Sequence, residues 1–435
     1  MICSAQVSIT NMGDKKTRKI VISVLITLII LIIASFFGWY WWLKNQQKQV
    51  DVLTTGRGLN NGIPAFSGGS LGSTNSNIST SFKELGTTTV VQKDGAKGGK
   101  QATTTPAAWR VSTTPAAAIS ISTQGGRARA LIVERVSGNV FSVDPLTGEA
   151  VRITNTLLPM IYDALWINES DVLLRSMNDR GLMTTFLGHL RAASSSPTGE
   201  MVGEYLEVGI SAVAAKPDGT SFFSIYPTTD GYAGVTKNAD NFNEKRVWDS
   251  VTGGWRAQWS GNTIKLFQDG AQGVYGSVYS VEPTQRTSRP LLQGIAGLSA
   301  AVRSDELASI YSESYVGSFS TYLKTPAGTR TLPIRTLGEK CAWSPQNPTM
   351  AICAVPENLS EEALPDAWYT GSIHFNDTLW VVHADTGEVR ELLNPGTFFG
   401  IPVDVKNPSI DESGLFLTFI DANNSTPWLL RISEL

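Results

Sequence analysis

The chain has 435 residues but only three cysteines, three histidines and 17% charged residues. Each shortage removes a class of chemistry. His189, His374 and His383 are scattered, and without an H-E-x-x-H run or a close cysteine pair nothing has the spacing of a zinc site. No C-x-x-C pair offers dithiol redox chemistry, and no Asp-rich loop has the pattern of a calcium site. No metal or cofactor is therefore expected. The net charge is -3, and past the N-terminus no run of Lys and Arg could follow a phosphate backbone, which excludes nucleic acid as a partner.

What the chain does have begins with one long apolar run, Ile20 to Leu43, without a charge. As a helix it would extend about 36 Å, enough to cross a hydrocarbon core of about 30 Å with some tilt. The run ends in Trp39, Tyr40, Trp41 and Trp42, an interfacial belt, where a cleaved signal peptide would carry small residues. Lys15, Lys16, Arg18 and Lys19 precede it and only Lys44 and Lys48 follow closely. The positive-inside rule then keeps residues 1–19 in the cytoplasm and sends the rest outside. The expected localisation is a single-pass membrane protein with an extracytoplasmic C-terminal domain.

Residues 44–105 are rich in Gly, Ser, Thr and Asn and lack the apolar periodicity that offsets chain entropy, so they read as a disordered linker. Two motif look-alikes fall there. Gly68-Gly69-Ser70-Leu71-Gly72 matches a nucleophile elbow but has no strand before it and no helix after it. Gly95 to Lys100 resembles a phosphate loop, yet Gln101 stands where the loop needs Ser or Thr.

Residues 106–435 change to short β-branched and aromatic runs separated by Asp-Gly, Asn-Pro and Thr-Gly punctuation, the pattern of an all-β domain. Segments reading strand, polar turn, strand recur: "ALWINESDVLLRS", "AAKPDGTSFFSIY", "AQWSGNTIKLFQD", "AAVRSDELASIYS", "CAWSPQNPTMAIC" and "PSIDESGLFLTFI". Aligning Trp166, Lys216, Trp259, Val302, Trp343 and Ile410 gives steps of 50, 43, 43, 41 and 67 residues, and about 40 to 50 residues is the length of a propeller blade. "VDPLTGEAVRIT" and "HADTGEVRELL" share an Asp, a Thr-Gly-Glu turn and a following strand. There Gly148 and Gly387 supply a positive φ, and Asp144 and Asp385 read as turn formers. "WRVST" at Trp109 reads as the last strand of a blade whose other three strands come from "DVKNPSI", "LFLTFIDA" and "PWLLRIS". The expected fold is an all-β, seven-bladed β-propeller closed by its two ends; six or eight blades are the alternatives.

"WSPQN", "KPDGTSFFSIY" and "VDPLTGEAVRIT" resemble the TolB-like, WD40-like family of bacterial envelope β-propellers, whose repeat runs Trp-Ser-Pro-Asp-Gly, apolar strand, Asp-x-x-Thr-Gly. The resemblance covers about residues 106–435. Only Pro217-Asp218-Gly219 and Trp343-Ser344-Pro345 keep the diagnostic turn. It implies a non-catalytic binding or scaffold protein of the cell envelope, with a protein or an envelope polymer as partner. The alternative is an envelope glycan hydrolase or lyase that brings carboxylates together in the central depression.

The longest repeat step holds an insertion, "PENLSEEALPDAWYTGSIHF", expected between the second and third strands of the sixth blade. Glu361, Glu362 and Asp366 make it acidic, and Trp368 and Tyr369 give it apolar area. The two readings are a partner-binding loop made by these five residues or aromatics folded back on the side of the blade.

Cys341 and Cys353 flank a hairpin centred on Asn347, so a symmetric fold sets them directly opposite, within disulfide range. Outside the cytoplasm such a bridge persists and adds about 2–3 kcal/mol. A register slip of one residue would leave two free thiols.

Overall fold

The computed structural model describes residues 108–432, except 125–126, 192–197, 241–242 and 360–362. The apolar run at 20–43 and the linker at 44–105 lie outside the described residues; among those described, no helix is long and apolar enough to cross a membrane.

Seven four-stranded antiparallel sheets form the blades of a propeller. Blades 1 to 6 are each contiguous, covering residues 116–152, 163–205, 212–250, 255–296, 299–331 and 341–393. The seventh takes Val405–Ile410, Phe416–Asp421 and Pro427–Arg431 from the C-terminal end and Ala108–Arg110 from the other. Ala108, Trp109 and Arg110 pair with Leu430, Leu429 and Trp428, so "WRVST" closes the ring against "PWLLRIS" as its sequence indicates.

The period of two along each strand builds the ring, because successive side chains turn to opposite neighbouring blades. Val172 and Leu174 pack toward blade 1 while Leu173 packs toward blade 3. Ile264 and Leu266 face blade 3 and Phe267 faces blade 5. Each of the seven blade junctions thus carries its own buried apolar cluster.

The innermost strands end at Trp166, Ala215, Ser260, Val302, Trp343 and Ile410. The aligned residues match these ends except Lys216, one residue past Ala215, and Trp259, which keeps the phase of Trp166, Val302 and Trp343 toward the preceding blade while its strand runs one residue further. The reason lies in the turns: in blade 4 Ser260 pairs with Thr263 across a two-residue turn, while in blade 5 Val302 pairs with Ser309. Gly148 and Gly387 take φ of 73° and 75°. Asp144 Oδ1 accepts from the backbone N–H of Leu146 at 2.8 Å, the turn role expected of it.

Chain direction fixes two faces. The links between blades and the loops joining second to third strands make an upper face; the remaining hairpin turns make a lower one. Ala108 enters its strand from the lower side, and Pro427–Arg431 leaves toward the same side.

Cys341 and Cys353 are directly paired in register and joined by a disulfide with Cα atoms 4.0 Å apart. Both face the junction of blades 5 and 6.

Candidate functional site

The insertion lies between Met350–Pro356 and Asp377–His383, the second and third strands of blade 6, and so on the upper face. It folds inward over its neighbours. A one-turn helix, Asp366–Tyr369, carries three side chains that tie it to three different places. Asp366 Oδ2 accepts from the backbone N–H of Gln272, in a blade 4 loop, at 2.7 Å. Trp368 Nε1 donates to both carboxylate oxygens of Asp404, at the entrance to blade 7, at 3.0 Å. The Tyr369 hydroxyl donates to Glu339, in the link entering blade 6. Beneath the helix, Trp368 stacks on Phe375, and Phe319, Leu337 and Leu364 complete an apolar cluster.

Under Trp368 sits a sealed ionic group. Lys340 Nζ lies 2.7 Å from Asp377 and 2.5 Å from Asp404, and all three side chains are fully buried. Its third donor meets the Val405 carbonyl at 3.0 Å, and the Trp368 and Phe375 rings lie 4.7 and 4.9 Å from the ammonium. One cation thus faces two carboxylates. Burial, offset in part by Lys340, pushes the Asp377 carboxyl up to about 6. His374 Nδ1 stands 3.4 Å from Asp404 with its side chain 47% exposed, at the rim of this group.

Toward blade 4, the Arg256 guanidinium forms a two-pronged pair with Asp269 at 3.0 and 3.1 Å and lies over the Phe267 ring at 4.2 Å. Glu339 approaches it at 4.0 Å and accepts from Ser299 Oγ at 3.1 Å. Burial, with Asp269 nearby, raises the Glu339 carboxyl above its ordinary value despite Arg256. Burial and Glu339 push the Tyr369 hydroxyl well above its own.

These contacts sort the residues singled out in the sequence. Trp368 is half-buried and turns inward. Asp366 holds the loop across blade 5, and Tyr369 hides its hydroxyl against Glu339 while the residue as a whole stays 42% exposed. Glu361 and Glu362 lie outside the described residues. Of the histidines, His189 pairs with Asp171 at 2.7 Å within blade 2, and His383 closes a blade 6 strand.

Sequence reasoning missed a feature of the surface. Of the nineteen large apolar side chains exposed among the described residues, fifteen lie in upper-face loops and links or at the strand ends leading into them. Leu146, Leu307 and Leu415 are in lower turns and Val151 is within an outer strand. Eight of the fifteen lie over blades 1 and 2 and the links that follow them, and five over blades 4 to 6, where Val274, Tyr275, Tyr315 and Val316 are 58%, 66%, 43% and 89% exposed. Tyr275 and Tyr315 join through their hydroxyls, and the Gly273 N–H donates to the Ser314 carbonyl at 3.0 Å, so the loops of blades 4 and 5 are linked. The signal was present as apolar residues at turn positions, such as "SYVGS", but a turn's face is known only once the blade is assembled.

No protein-family profile and no curated protein matches the chain. Solved structures similar to it include the tricorn protease, at 10% identity and a TM-score of 0.47 over 74% of this chain. The chain spans about a third of that protein, 34%. TolB from Acinetobacter baumannii is 15% identical with a TM-score of 0.38, over 62% of this chain and 67% of that one. An oligogalacturonate lyase from Vibrio parahaemolyticus is 9% identical with a TM-score of 0.47, over 74% and 93%. The likeness to TolB-like, WD40-like propellers is one of fold.

Proposed function

We propose that this chain is a membrane-tethered, extracytoplasmic, non-catalytic propeller that holds a partner on its upper face. The observation that carries the reading is the gathering of fifteen of nineteen exposed large apolar side chains on one face, since exposed apolar area of this extent marks interaction surfaces. Two further features support it. Residue 108, the first described, enters its strand at the lower side, away from these side chains. Proton-transfer chemistry on a glycan needs carboxylates free to meet substrate. Here Asp377 and Asp404 are sealed on Lys340, and Asp269 and Glu339 flank Arg256. Membrane placement rests on the apolar run at 20–43 and its flanking charges.

The test compares Val316→Cys on the upper face with Leu415→Cys on the lower, each in the full chain. Labelling by a bulky maleimide is measured in intact cells and after purification. The expected result is that Val316→Cys is shielded in cells and reactive when purified, with Leu415→Cys reactive in both. Shielding of Leu415→Cys alone, or of neither, overturns the reading.

A further inference from the structure

We propose that Lys340 and Asp404 form an intramolecular amide, a covalent tie between the entrances to blades 6 and 7. The site is the sealed group beneath Trp368, and the proposal is independent of which face holds a partner. Lys340 Nζ lies 2.5 Å from Asp404 Oδ1 and 2.7 Å from Asp377 Oδ2, with all three side chains fully buried. Amine and carboxyl are held against one another, so an intramolecular step replaces a chance encounter. The Trp368 and Phe375 rings cover the ammonium at 4.7 and 4.9 Å, which denies water a ready path for the reverse reaction, hydrolysis. A buried ion pair is costly to keep, and joining its members as an amide removes both charges. The other lysine–carboxylate pairs among the described residues lack these features. Lys216–Asp218 and Lys237–Glu244 have exposed carboxylates, and the fully buried Lys265 meets Ser260 Oγ and the Ser304 carbonyl.

The two carboxylates differ in what meets them. Trp368 Nε1 donates to both oxygens of Asp404 at 3.0 Å, which draws charge off the carboxyl carbon and supports the oxygen that carries charge after attack. Asp377 Oδ2 faces Lys340 and accepts from the Val405 N–H at 2.7 Å, while Oδ1 is buried with no hydrogen-bond partner among the described residues. Asp404 is therefore the acyl group and Asp377 the proton carrier. With its carboxyl pushed up to about 6, Asp377 can take a proton and return it near neutral pH. A bond forms between Lys340 Nζ and Asp404 Cγ, and the bond from Cγ to one carboxylate oxygen breaks. Two of the three ammonium protons pass through Asp377 to that oxygen, which leaves as water. Ammonium and carboxylate thus become a neutral secondary amide and one water, with no oxidant or reductant. Before the amide forms, the ion pair and its titration govern this corner of the fold.

The experiment isolates the full chain from the cells that make it, reduces and alkylates it, and digests it with trypsin. An amide at Lys340 blocks cleavage there. The expected species joins residues 336–390 to residues 391–406, at their summed mass less one water, and fragmentation places the link at Lys340 and Asp404. In Asp377→Asn, which can keep the bond from the Val405 N–H, the joined species should accumulate roughly a hundredfold more slowly after synthesis. In Lys340→Arg it should be absent. Residues 336–340 and 391–406 recovered as separate peptides in full yield from the unsubstituted chain overturn the proposal without recourse to any variant. So does residues 336–390 alone less one water, which would put the amide on Asp377, and so does a rate that Asp377→Asn leaves unchanged.

Discussion

Lys340 carries the clearest consequence at the scale of a single residue. A buried cation between two buried carboxylates is costly to assemble, and removing it leaves two charges without an ammonium. Lys340→Met is expected to lower the unfolding free energy by about 3–5 kcal/mol, measured by urea unfolding. A loss below about 1 kcal/mol would mean that water reaches the site. Asp377 gives the pH dependence. Its folded pKa is about 6 against an ordinary 3.8, so the folded state binds the proton more tightly. This contribution is fully present below about pH 4 and is lost as pH rises toward 6, amounting to about 3 kcal/mol. In Asp377→Asn that slope between pH 4 and 6 should disappear, while the asparagine Oδ1 can still accept from the Val405 N–H that Asp377 now serves at 2.7 Å. The slope should be read as the difference between the two chains, which cancels the other carboxylates. Neither residue was legible beforehand. Lys340 and Asp404 are 64 positions apart, and no local pattern marks a pair that only adjoining blades bring together. Cys341 and Cys353 were legible because their contact is local, set by one hairpin's register.

Among the elements, the strand Ala108–Arg110 shows how far pattern alone can reach. Its role followed from an echo of other outer strands and from a C-terminal blade one strand short. The structure supplies the register and one more bond, from the Val111 N–H to the Pro427 carbonyl at 2.8 Å. Removing residues 1–105 is therefore expected to leave the propeller folded, whereas removal through Ser112 exposes the edge of Pro427–Arg431 and uncovers Leu429 and Leu430, both buried. The longer deletion should melt roughly 5–10 °C lower, as followed by circular dichroism. Equal melting of the two would mean that the strand adds nothing to closure. The insertion was legible in position but not in direction. Its acidity and its Trp-Tyr pair suit either a solvent-facing epitope or a packed flap, and the choice was made by partners in blades 4, 6 and 7 that the insertion's own residues cannot specify.

For the whole molecule, the remaining question is what the covalent crossing between blades 7 and 1 contributes beyond filling an edge. Blade 7 is the one blade built from both ends of the domain. Its seam with blade 1 is packed by Val111, Ala116, Ile132, Phe416, Ile420 and Leu429, and the Ala116 N–H donates to the Ser425 carbonyl at 2.8 Å. Ala108 pairs with Leu430 at the lower face, so a turn of about two to four residues could join residue 432 to residue 108. A chain permuted to run from 116 to 432, through that turn, and on to 108–112 would keep every strand pair, yet the backbone would no longer cross the seam. Its blades then form a linear array closed by non-covalent contacts alone, and an array whose ends are held only by contacts can open there before the rest unfolds. The permuted chain is expected to reach the same circular dichroism spectrum as the 106–432 chain but to unfold at lower urea concentration and faster. Amides of blades 1 and 7 should exchange first. If instead the two chains unfold together and at the same rate, the apolar cluster at the seam suffices, and the shared blade is a way of capping an edge, not a lock on the ring.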